Sequence, residues 1–192
     1  DCNSNTFGNS CNYNTFGNGC EDNTFGNYFR YNTFGNSCNY NTFGNSCDDN
    51  TFGNDCNSNT LGNECYSNTL GNNCDGNTFG NSCDDNTLGN NCDYNTFGND
   101  CNSNTFGNSC NYNTFGNYLQ YLTAGEGVKY LNVTGGIDIE HFVQNAHILN
   151  GTSGKDRKNL LTVGLPEMST VCRYVGQNTA GVLKIWVPAD LV

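Results

Sequence analysis

The chain has 192 residues, with 18 acidic against 7 basic side chains, a net charge of −11, 24 glycines and 13 cysteines. That length bounds it to one domain or two small ones. The acidic balance argues against nucleic acid and anionic membrane surfaces as partners, and no apolar run reaches the 18 residues of a membrane-spanning helix.

From Cys2 to Tyr118 a nine-residue unit, C-x-x-N-T-F-G-N-x, runs thirteen times without slipping register. A fixed short period marks a repeat array. The Asn, Thr, Gly and second Asn never vary; the sixth position is Phe ten times and Leu at Leu61, Leu70 and Leu88, and the first is Cys except for Phe29. Gly, repeated Asn and β-branched Thr make poor helix. Short strands joined by corners fit better. By the period-two rule Asn and Phe point inward and Thr outward. Gly-Asn is expected to turn the first corner, because these residues tolerate positive φ. The residue before Cys and the Cys itself are expected to form a second short strand, with the two variable residues turning the second corner.

Nine residues, at about 3.3 Å each, cannot enclose a Phe and a Cys. Two closures are open: two repeats making one 18-residue coil of a single-chain β-solenoid, or three chains each supplying one side of a prism. The 18-residue coil is preferred, although the Leu positions show no odd–even alternation. Stacking in either case puts like residues above one another, giving an aromatic-apolar stack worth about 2 kcal/mol per buried ring and amide ladders of Asn.

The charge is uneven. Residues 1–118 hold twelve acids against Arg30 alone, whereas residues 119–192 hold six acids and six bases. Acids at the variable corners keep a β-rod soluble. Calcium at Asp48-Asp49 or Asp84-Asp85 has little support, since the acids fall in no regular column. Cysteines every nine residues, without C-x-x-C pairs, do not form a zinc pattern. Phe29 at a Cys position indicates that the site needs apolar volume, so the cysteines read as buried reduced thiols. Disulfides between adjacent coils remain open on spacing alone.

Residues 119–136 are degenerate repeats, with Leu119 and Val128 at the Cys position and Ala124 and Val133 at the Phe position. Residues 1–136 are therefore expected to form the solenoid. Residues 137–192 are expected to form a small β-rich cap or tip, with alternating segments beginning at Ile137, Leu160, Val171 and Val182. Asp138, Glu140 and His141 lie close in sequence but read as the solvated side of a strand. No catalytic, cofactor-binding or metal-binding residue is assigned. His141 and His147 read as ordinary surface or half-buried side chains.

The N-T-F-G-N-x-C-x-x array, with variants such as Tyr28-Phe-Arg-Tyr31 and an exit through Tyr118-Leu-Gln-Tyr-Leu122, resembles repeats in bacterial and prophage-encoded proteins. More loosely it resembles the β-helical shafts of phage tail fibres and adhesins. The resemblance implies a rigid stalk, commonly a homotrimer, whose tip meets a cell-surface receptor or glycan; a virion or bacterial surface is the expected place, and no enzymatic activity is expected. Exposed tip aromatics, Trp186 and Tyr174, are the candidate contacts. Two other classes are weighed. One is a lattice-binding solenoid, for which a doubled Thr face is required and only one Thr per repeat is present. The other is a tailspike-type glycan hydrolase, for which the array has no insertions to build a groove.

Overall fold

Each Asn-Thr-Phe-Gly segment contributes one two-residue strand: β1 (Thr6–Phe7), β2 (Thr15–Phe16), and so on every nine residues to β13 (Thr114–Phe115). The computed structural model describes residues 2–119, 122–125, 128–133, 146–151 and 183–184. Strands pair in parallel with the strand two repeats away, Thr6 opposite Thr24 and Phe7 opposite Phe25, so one turn takes 18 residues. Odd-numbered strands build one sheet and even-numbered strands the other. The chain is an all-β parallel solenoid, flattened into two sheets, and its coil closes within a single chain. No helix occurs among the described residues.

The period-two expectation holds. Thr is exposed on each strand from Thr6 to Thr96 while Asn and Phe or Leu face inward and are buried from the second coil onward. Phe rings stack within a sheet, as Phe25 on Phe43 at 4.7 Å, and meet edge-to-face across the core, as Phe25 on Phe34 at 5.3 Å. Phe7 and Phe16 of the first coil are only partly buried.

The degenerate repeats continue the coil. Leu119 is buried in the Cys column, β14 (Thr123–Ala124) extends the even sheet, and β15 (Val128–Val133) extends the odd sheet with Val133 opposite Phe115. Leu122, also buried, takes the place of an inward Asn. Beyond lie β16 (Ala146–Gly151), parallel to β15, and β17 (Leu183–Lys184), antiparallel to β16. The segment beginning at Val182 thus contains a strand, whereas those beginning at Ile137, Leu160 and Val171 lie outside the described residues.

The corners differ from expectation. The left-handed residues are the third and ninth of every repeat, with φ between +54° and +65°; the Gly-Asn pair is not among them. Nor does a second strand form around Cys, because the residue before it turns the chain. Only Gly19 and Gly76 at these positions are glycines; the others are Ser, Tyr, Asp, Asn or Glu. Each costs about 1 kcal/mol or more in that region. What holds them is the next coil: Ser10 N–H donates to the Asn27 carbonyl at 2.9 Å and Tyr13 N–H to the Arg30 carbonyl at 3.1 Å. The invariant Gly has a steric cause instead. A Cβ on Gly62 would lie 2.5 Å from Asn45 Oδ1 and 2.6 Å from the Gly44 carbonyl, whereas one on Gly8 or Gly17, in the first coil, would meet nothing.

Candidate functional site

The backbone N–H groups of the repeat are directed along the rod. The fifth and seventh residues donate to carbonyls of the preceding coil and the third and ninth to carbonyls of the following one, as Thr24 to Asn5, Gly26 to Phe7, Ser4 to Glu21 and Ser10 to Asn27. The fourth donates to a side chain, Asn41 N–H to Asn59 Oδ1 at 2.9 Å, and the eighth does the same in the other direction, Asn63 N–H to Asn45 Oδ1 at 2.9 Å. What remains to meet a ligand laterally is side chains.

Those side chains form distinct strips. Each flat face carries a single rank of Thr in register from coil to coil; the doubled rank that a lattice-binding face needs is not there. The corners carry the second, third and ninth residues, and with them the acids and tyrosines.

The second position corrects one expectation. Its acids do stand in columns, mixed with Asn, because Asn and Asp play the same part there. In each, the side-chain oxygen receives the N–H one coil on. Asn57 serves Asp75 at 2.7 Å, Asp75 serves Asp93 at 2.7 Å, and Asp84 serves Asn102 at 2.6 Å. Burial is the main cause that raises Asp75 and Asp84 above the usual carboxylate range, with neighbouring acids adding to it. Asp48 receives Tyr66 N–H at 3.0 Å on one oxygen and pairs with Arg30 Nε at 2.9 Å on the other. These carboxylates already have protein donors. Among the described residues, no group of three or more His, Cys, Asp or Glu side chains is arranged to hold a metal.

The twelve cysteines of the repeats are free thiols in two columns. They are more than apolar filling: Cys74 Sγ donates to the Gly53 carbonyl at 3.5 Å and Cys92 Sγ receives Cys74 N–H at 3.4 Å. Burial raises the Cys20 thiol. Further along, Cys65 and Cys74 are raised first by hydrogen bonds shared with neighbouring thiols and then by burial, while Cys83 and Cys92 are drawn down by such bonds, first with Cys101 and Cys110 and then with Cys65 and Cys74. Arg30, the one cation of the repeats, is at the surface. With no positive charge in the core to balance a thiolate, the columns stand as protonated stacks.

One place departs from the repeat at two adjacent residues, Phe29 and Arg30, with a tyrosine on either side. Tyr28, Phe29, Arg30 and Tyr31 occupy one corner, with Tyr31 stacked on Tyr13 at 5.0 Å and the Arg30 guanidinium 5.6 Å from the centre of the Tyr28 ring. Phe29 is fully buried against Phe25 at 4.5 Å. The sequence shows these four residues as a variant of the repeat without pointing to a role; the signal available there is the clustering of departures. Trp186 and Tyr174, the candidate tip contacts, lie outside the described residues, as do Asp138, Glu140 and His141. His147 falls in β16.

No family model, curated protein or solved structure matches the chain.

Proposed function

We propose that the chain is structural. In this reading residues 1–136 are the shaft of a fibre-like or adhesin-like protein of bacterial or prophage type. Residues 137–192 cap it, bring copies together as a homotrimer, and carry contact with a cell-surface receptor or glycan through Trp186 and Tyr174. The observation that supports this most is the unbroken 18-residue register from β1 to β14, with no insertion in any coil to build a cleft. Such a coil rises by about one strand spacing, some 4.8 Å, and its length grows only by adding repeats.

The test is absolute mass by light scattering behind size exclusion, on the whole chain and on a chain ending at Gly136. A trimer that needs residues 137–192 supports the shaft reading. A monomer in both forms removes the oligomerising tip from it.

A further inference from the structure

We propose that the corner built from Tyr13, Tyr28, Arg30 and Tyr31 is a lateral binding patch for a neutral glycan, separate from any contact made by residues 137–192. This goes beyond the shaft role and stands whether or not the chain forms trimers.

At two adjacent positions the patch gives up bonds that the rest of the rod makes. Arg30 occupies the second position, where an Asn or Asp would offer an oxygen to the next coil; Arg has none to give. Phe29 replaces a thiol that elsewhere donates to a glycine carbonyl. Two adjacent departures from the repeat, Phe29 and Arg30, with exposed tyrosines on either side, are what a functional site looks like in a repetitive frame.

The patch also presents open rings among fixed polar groups. Tyr13, Tyr28 and Tyr31 are 78 %, 51 % and 49 % exposed, a concentration of open ring surface at one spot that solubility alone disfavours. Planar polar groups surround the rings. Arg30 is fixed by Asp48 at 2.9 Å and by the Ser46 carbonyl at 3.3 Å, and Asn12 Oδ1 receives Arg30 N–H at 2.7 Å. Asp49 lies beside Tyr31 and, by its charge and a hydrogen bond, raises that phenol. Aromatic rings flanked by fixed planar donors and acceptors match a pyranose, whose C–H face packs on a ring while its hydroxyls meet amide, carboxylate and guanidinium groups.

Size and charge select among partners. The exposed ring surface amounts to roughly 300–450 Å², about half of what one partner contributes to a stable protein–protein interface. A polyanion is repelled by the eleven net negative charges of residues 1–118, and Arg30, the one cation there, is already neutralised by Asp48. A neutral glycan of a few rings fits both limits. The patch is a corner and not a cavity, so single-site binding falls in the range of about millimolar and gains by many rods acting together.

The test is saturation-transfer NMR on the whole chain with maltohexaose, cellohexaose and chitohexaose as probes. The variant is Tyr13→Ser/Tyr28→Ser/Tyr31→Ser, which puts at each position a residue the array itself carries there in Ser4, Ser10 and Ser58; circular dichroism melting confirms that it folds. Tyr94→Ser/Tyr112→Ser removes a second stacked tyrosine pair, away from the Tyr13–Arg30 corner. We expect transfer to at least one probe and about a tenfold loss in the triple variant, two or three ring contacts being worth that much together, with little loss in the Tyr94/Tyr112 variant. No transfer to any of the three probes overturns the proposal, and so does equal loss in the two variants or unchanged transfer in the triple variant.

Discussion

The two invariant asparagines of the repeat look interchangeable in sequence and do opposite work in the rod. The inner one, such as Asn59, is buried; its Oδ1 receives Asn41 N–H at 2.9 Å and Asn41 Nδ2 at 3.1 Å, and its own Nδ2 donates to the Cys38 carbonyl at 2.9 Å. The outer one, such as Asn45, is exposed, and its Oδ1 receives Asn63 N–H, from the coil on its other side. The two amide columns therefore run with opposite polarity. Invariance inside comes from burial, where an unpaired polar group has no water to turn to; outside it comes from the corner fit against the glycine column. Asn77 and Asn95 sharpen the point. Their Nδ2 atoms are buried without a partner, yet their oxygens still receive Asn59 and Asn77 N–H at 2.9 and 2.8 Å. The acceptor is the half of the amide that the coil requires.

The largest effect is expected from Asn59→Ala. It strands the Asn41 N–H and leaves the Cys38 carbonyl short of a donor in a dry core, for a loss of about 4 kcal/mol. Chemical denaturation of parent and variant measures it, and a loss below that of an exposed cap would show that water reaches the column. Next comes the glycine column. Gly62→Ala forces a Cβ against the Gly44 carbonyl and should cost about 3 kcal/mol, whereas Gly8→Ala, with open space around its Cβ, should leave the melting temperature almost unchanged. Equal effects at the two sites would return these glycines to a conformational role. Asn45→Ala should cost only about 1 kcal/mol, since water can replace its oxygen at the corner. If it matches Asn59→Ala, the contrast between the columns fails.

Much of this architecture is legible in the sequence because a short period makes each position solve the same physical problem in every repeat. The inward Phe and Asn, the outward Thr and the decay through Leu119, Ala124 and Val133 follow from alternation and volume, whereas the 18-residue coil is only the preferred one of two closures that volume leaves open. The corners do not follow. Residue type points to Gly-Asn for left-handed backbone, but the chain places it at Ser, Tyr and Asp positions whose N–H groups are held by the next coil, a cause that is not local. The second-position column stays hidden for another reason: Asn and Asp alternate there irregularly, so a count of acids sees scatter where a count of side-chain oxygens sees order. The Tyr13–Arg30 corner is half legible, since the variant residues stand out but their meeting across 18 residues requires the coil.

The smallest effect tests that second-position column and turns on pH. Asp84 receives Asn102 N–H at 2.6 Å, a bond that an Asn oxygen makes equally well at Asn57. Burial, followed by the charges of Asp85 and Asp100, raises the Asp84 carboxyl. The folded state thus holds its proton more tightly than the unfolded chain does. The stability this contributes is fully present below the unfolded value of about 3.9 and is lost as pH rises through the higher folded value. Acidification from neutral towards about pH 4.5 should then raise the melting temperature through Asp84 and, for the same reason, through Asp75. Asp84→Asn should raise it slightly at pH 7 and flatten its dependence on pH, because the amide keeps the acceptor and removes the charge. A variant less stable than the parent at pH 7 would mean that the carboxylate itself, and not merely its oxygen, holds the next coil.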